Sequence, residues 1–196
     1  GYFAKHFKAF LNDHGWDLNL SGYRLDNAIF HKQDGHLAGE KTAKNLVHRF
    51  ILEETIKQKA TRLAKQTLEK ISQLATVVIL TNVPAFAHKC RKKNFSALGM
   101  NYPIISNSGP KGIAIKYMIR KISYPCFFVD DSAFQIESAS KENSKLISIH
   151  FSACDIVSSI LPKSHFAKHS PKKWPEILTI VKRELATFKI DYSGRQ

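Results

Sequence analysis

A chain of 196 residues, 43% hydrophobic and 23% charged, can bury a substantial core and has the composition of a globular domain. It has no apolar stretch near the roughly 20 residues that span a bilayer and no charged-then-apolar leader, so the expected compartment is cytoplasmic. Its net charge of +14 asks for an anionic partner, but no DNA- or RNA-binding motif accompanies the basic residues, which leaves a nucleic-acid-binding module as a minor alternative.

Phe3, Phe7, Phe10 and Leu11 recur on one face of a helix that Gly15 can terminate. Asn19 to Phe30 is harder to assign, with turn-like Ser21-Gly22 and Asp26-Asn27, and Gln33-Asp34-Gly35-His36 reads as a loop. Thr42 is a candidate cap for a helix carrying Leu46, Val47, Phe50 and Ile51. A second helix is expected through Ile56, Leu63, Leu68 and Ile71.

From Thr76 the pattern alternates. Val77-Val78-Ile79-Leu80 reads as a buried strand, followed after Pro84 by a helix to about Leu98. Its cluster Lys89-Cys90-Arg91-Lys92-Lys93 is explained by a solvated helix face. A short strand over Tyr102 to Ile105, a helix through Ile113 to Ile122 and a strand from Cys126 to Val129 come next. A helix from Ser132, a strand near Leu146 to Phe151 and a closing helix over Trp174 to Phe188 complete the series. Strands alternating with helices predict an α/β fold with a parallel sheet flanked by helices. Cys90, Cys126 and Cys154 are odd in number and lack metal-ligand spacing, so reduced thiols are expected.

The densest chemical signal is Cys126-Phe127-Phe128-Val129-Asp130-Asp131, an apolar run that stops in two carboxylates. Four apolar residues in a row read as a strand buried on both faces. Adjacent carboxylates at its end repel and resist desolvation, which a divalent cation relieves, and hard oxygen ligands suit Mg²⁺. The alternative is that Asp130 caps the next helix and Asp131 adds charge to its first turn.

Ligands of parallel sheets bind at the carboxyl ends of the strands. There Thr81-Asn82 combines a hydroxyl and an amide with a helix start, either an anion cradle or a plain cap. In Asn107-Ser108-Gly109-Pro110-Lys111-Gly112, Pro110 suits an early helical position. Lys111 then falls in a first turn, where the macrodipole disfavours a cation by about 0.3–1 kcal/mol. That placement suggests an electrostatic role, against the alternative of a solvated loop lysine.

Thr81, Lys111 and the Asp130-Asp131 pair, in order from successive strand ends, resemble motifs two, three and four of the haloacid dehalogenase-like hydrolase superfamily. The resemblance covers about Thr76 to Phe151. It implies a Rossmann-like core over residues 55–196, a small helical cap with its connections over residues 1–54, and Mg²⁺-dependent phosphoryl transfer through an aspartyl-phosphate. By that resemblance Thr81 would hydrogen-bond the phosphoryl group with Asn82 beside it, Lys111 would neutralise charge, and Asp130 and Asp131 would hold Mg²⁺. The expected substrate is a small phosphomonoester, the expected activity a phosphatase; the oligomeric state is not legible.

Two departures qualify the expectation. Gln135 stands where relatives often carry a further acid, with Glu137 nearby. The family's Asp-x-Asp nucleophile, which ends its first strand, is not in the sequence; the opening Tyr2 to Gly15 resembles the segment after that motif in relatives with a helical cap. Asp17-Leu18-Asn19-Leu20-Ser21 mimics the motif's spacing, but no apolar strand precedes it, and Asp17 is expected to be a turn residue of the cap. Without its nucleophile the chain would bind phosphate or Mg²⁺ without turnover, so a non-catalytic binding or regulatory role is the rival reading.

Overall fold

The Phe3, Phe7, Phe10, Leu11 stripe forms α1 (Phe3–Asp13), with the last three side chains buried against Phe50. The computed structural model describes residues 3–20, 25, 27–153 and 163–193. Gly1, Tyr2, Ser21-Gly22, Asp26 and Cys154 lie outside the described residues. Gly15 takes φ +81°, where a side chain would be strained, and reverses the chain into β1 (Trp16–Leu18). This strand pairs antiparallel with β2 (Ile29–His31), Trp16 opposite His31. The expected helical cap and connections over residues 1–54 thus include a short antiparallel pair, part of it in the stretch Asn19 to Phe30 that the sequence leaves unassigned. Strands of three residues carry too little alternation to stand out in sequence, and here pairing defines them.

Helix α2 (Glu40–Glu54) starts after Gly39, so Thr42 lies inside the first turn and does not cap it. The continuous second helix expected from Ile56 is interrupted. A 3₁₀ turn at Thr55–Lys57 leads into an extended link, Leu63 adopts φ +66°, and α3 spans Ala64–Ser72. Asn94 supplies the reason: its buried amide donates to the carbonyls of Ile56 (3.0 Å) and Gln58 (2.7 Å), acceptors that a continuing helix would use itself.

The alternating half contains β3 (Ile79–Thr81), a 3₁₀ turn (Ala85–Ala87), α4 (His88–Ala97), β4 (Ile104–Ser106) and α5 (Gly112–Ile119). Then come β5 (Phe127–Asp130), α6 (Ala133–Glu142), β6 (Ile147–His150) and α7 (Trp174–Ser193). β3 pairs parallel with β4 and β5 parallel with β6, so Thr81 lies opposite Ser106 and Asp130 opposite His150. The fold is mixed α/β with seven α-helices among the described residues.

Among the described residues the strands form separate two-stranded sheets, not the single parallel sheet expected. With one hydrogen-bonded neighbour each, β3 and β5 are less enclosed than an interior strand. Of the run Cys126 to Val129 only Phe128 is buried, and Val77 to Leu80 are all half-buried, against the expectation of burial on both faces. No described helix is long and apolar enough to cross a membrane.

The apolar groups fall into three clusters. Residues between Phe7 and Ile51 build the first around Phe7, Leu11, Ile29 and Phe50. Ile147, Ile149, Ile177 and Val181 join β6 to α7. Ile115, Phe128, Ile136 and Leu146 join α5, β5 and α6, with Leu80 of β3 against them.

Candidate functional site

The carboxyl ends of β3 and β5 converge on one cavity. Thr81, Asn82, Lys111, Asp130 and Asp131 all line a space of about 490 Å³, together with Arg91, Gln58, Phe3 and Trp174. Lys111 Nζ lies 2.7 Å from Asp130 Oδ2, with 12% and 8% of their side chains exposed. Lys111 is the residue just before α5, not inside its first turn, and Pro110 precedes the helix. It is no solvated loop lysine.

Two carboxylates side by side at low exposure carry an electrostatic cost. Burial pushes the Asp131 carboxyl above the ordinary range, and neighbouring Asp130 adds to the shift. Asp130 does not cap the next helix. Ser132 does so, its hydroxyl accepting from Gln135 N–H, while Asp130 Oδ1 accepts from Ser132 N–H at 2.9 Å. Asp130 is thereby fixed through both oxygens, each with lone-pair capacity remaining.

The loop from Asn107 to Lys111 is held by side-chain amides. Asn82 Nδ2 donates to the Gly109 carbonyl (2.8 Å) and Asn107 Nδ2 donates to Asn82 Oδ1 (2.9 Å). Asn82, expected beside the phosphoryl group, thus has its amide engaged in positioning the lysine loop. Gln135 braces the same loop. Its Oε1 accepts from Lys111 N–H (2.8 Å) and its Nε2 donates to the Gly109 carbonyl (3.3 Å). The position where an acid was anticipated serves the loop, and neither amide atom is directed to the aspartates by these bonds.

Arg91 does not stand out in the sequence, where it belongs to a basic run that reads as a solvated face. Lys89, Lys92 and Lys93 are exposed, but Arg91 turns inward, donates to Gln58 Oε1 (3.0 Å) and lines the cavity. Burial pulls its guanidinium below the ordinary value, and its buried Nε has no hydrogen-bond partner among the described residues. A helical wheel hints at this: Arg91 lies one helical turn from Asn94, the buried polar residue of α4.

His150 is a satisfied histidine, as expected. Its Nδ1 accepts from Ser164 N–H and its Nε2 donates to the Asp131 carbonyl, each at 3.0 Å, which selects the neutral Nε2–H tautomer. Trp174 donates to Thr61 Oγ1 at 2.6 Å. Asp17 sits in β1, bonded to Leu18 N–H and Lys8, and does not line the cavity. Cys126 is half-buried and burial raises its thiol, which fits packing and not nucleophilic attack.

A second cavity, about 640 Å³, lies along α2 beside Phe86 and meets the first at Ile51 and Pro84. Its lining is largely aliphatic and lacks a carboxylate pair. No protein-family model matches the chain, and no curated protein matches it significantly.

Proposed function

We propose that the chain carries the phosphate- and Mg²⁺-binding half of a haloacid dehalogenase-like phosphohydrolase acting on a small phosphomonoester. The observation that supports this reading is the meeting of Thr81, Lys111, Asp130 and Asp131 around one cavity from three distant stretches of sequence. A phosphoryl group in transfer needs cations and donors around its equatorial oxygens. Lys111 and Thr81 would supply them, and Arg91 adds a second cation to the lining of the same space.

The residues fit Mg²⁺ by donor chemistry. Asp130 and Asp131 are hard oxygen donors, and a divalent cation offsets the burial that raises Asp131. When bound, the ion would neutralise phosphate charge; Lys111 would orient Asp130 and the phosphoryl oxygens, and the Gln135–Gly109 contacts would hold Lys111 in place. The adjoining aliphatic cavity suits the organic part of the ester.

In this reading β3 and β5, which are not hydrogen-bonded to each other, would be joined into a Rossmann-like sheet by a parallel strand that pairs with both. Its carboxyl end would bring an aspartate nucleophile to the cavity. Residues 1–54 then act as the cap, and the basic surface draws in the anionic substrate.

The test is Mg²⁺-dependent hydrolysis of a generic aryl phosphate by the full gene product, compared with Lys111→Ala. Turnover that the substitution abolishes supports the phosphohydrolase. Binding of orthophosphate and Mg²⁺ without turnover, lost in Lys111→Ala, supports the non-catalytic rival. Neither binding nor turnover overturns both.

A further inference from the structure

A separate cluster of donors sits on the β1–β2 hairpin. His31 ends β2, and the turn through Asp34 and Gly35 brings His36 back beside it. The His31 N–H donates to the His36 carbonyl and the Gly35 N–H to the His31 carbonyl, both at 2.9 Å. The two imidazoles stack with centroids 5.0 Å apart. Trp16 meets both edge-on, at 5.1 and 5.4 Å. Asp34 Oδ1 lies 3.1 Å from His31 Nδ1 and 2.6 Å from His36 Nδ1.

Two neutral imidazoles and one carboxylate are a borderline donor set, suited to Zn²⁺ and its neighbours and poorly suited to Mg²⁺. One ligand atom from each residue lies within 4.8 Å of the others. A tetrahedral ion with bonds of about 2.0–2.1 Å separates its ligands by about 3.3 Å. The His31–Asp34 distance of 3.1 Å already lies near that spacing and the His36–Asp34 distance of 2.6 Å lies inside it, so side-chain rotations that open the second contact would admit an ion. The backbone bonds between His31 and His36, and Trp16 against both rings, hold the donors in advance of binding, which lowers the ordering cost.

We infer that His31, Asp34 and His36 form a Zn²⁺ site, with water completing the coordination, that clamps the 31–36 turn to the hairpin. Exposure of 55% at His36 and 62% at Asp34 leaves the ion an entry path. The site is independent of the phosphohydrolase reading, because none of the three residues lines the rim cavity.

The experiment starts from chelator-stripped, desalted full chain, titrated with Zn²⁺ against a chromophoric competitor, with Co²⁺ absorption as a second readout. The expected result is one Zn²⁺ per chain, insensitive to excess Mg²⁺ and unchanged in Lys111→Ala. Affinity should fall by about tenfold or more in His36→Ala and in Asp34→Asn, since even outer-shell losses weaken metal sites by about that factor. His36→Gln, which keeps the side chain's size and polarity, guards against a folding artefact and should also lose the ion. No Zn²⁺ uptake by the parent chain, or uptake that survives the His31→Ala/His36→Ala double variant, overturns the inference. The first outcome would leave Asp34 as a plain hydrogen-bond bridge, and the second would assign the ion to other histidines.

Discussion

Lys111 and Asp130, nineteen residues apart, form a 2.7 Å ion pair that is nearly enclosed, 12% and 8% exposed. Sequence neighbours do not produce such a contact; it needs the end of β5 and the loop before α5 to meet. A buried pair adds little net stability against a well-packed apolar alternative, but losing one partner strands the other charge.

Lys111→Ala should lower unfolding free energy by about 3 kcal/mol, because Asp130 is left buried beside Asp131 without its cation. Lys111→Ala/Asp130→Asn should cost less than the sum of the single changes. If the carboxylates bind Mg²⁺, millimolar Mg²⁺ should raise the midpoint of Lys111→Ala more than that of the parent chain. Urea titrations with and without the ion measure both effects, and additive single-variant costs would contradict the coupling.

If the cavity binds orthophosphate as proposed, Arg91→Met should abolish that binding or weaken it by about tenfold, while Arg91→Lys should recover only part of it, since an ammonium cannot reproduce the guanidinium fork. Calorimetry reads this directly. Unchanged binding in Arg91→Met would restrict the residue to holding Gln58 and Asn94.

Glu184 on α7 accepts from Lys168 (2.7 Å) and His169 (2.6 Å), tying the closing helix to the segment beside β6. Burial pulls its acid upward, but the Lys168 and His169 contacts outweigh that and hold it below the ordinary 4.5. A folded-state value below the unfolded one adds stability that is fully present above pH 4.5 and is lost as pH falls through the lower folded value. Glu184→Gln should therefore cost about 1–2 kcal/mol at neutral pH, with the gap to the parent chain closing in acid. A gap constant from about pH 7 to about pH 3 would sink this account.

Gly112→Ala should be severely destabilising, by about 3 kcal/mol or more. A Cβ at Gly112 would collide with the Ser138 carbonyl, so α5 and α6 could not keep their approach. The Gly112 N–H to Ser138 Oγ bond (3.0 Å) would be lost with it. Thermal unfolding measures this, and Gly35→Ala, whose Cβ meets nothing within 4 Å, should cost only about 1 kcal/mol for its positive φ.

Much of the local structure was legible without coordinates. The one-face spacing of Phe3, Phe7, Phe10 and Leu11 predicts α1, and apolar runs stopping at Thr81 and Asp130 predict where β3 and β5 end. Such features depend on near neighbours, whose periodicity the chain itself carries. The break after Glu54 was not legible, because the Asn94 amide that causes it arrives from 36 residues away.

For the site, residue order alone nominated Thr81, Lys111, Asp130 and Asp131, since polar groups at strand ends interrupt apolar runs visibly. Only its one-turn spacing from Asn94 sets Arg91 apart from the lysines around it in the sequence, and nothing there shows that Gln135 and Asn82 hold the lysine loop. Direction decides those roles: a charge becomes buried, or an amide becomes a brace, only when another element closes over it. The His31, Asp34, His36 cluster shows both sides of this. Its three donors stand close together in the chain, yet only the folded hairpin sets them within 4.8 Å of one another.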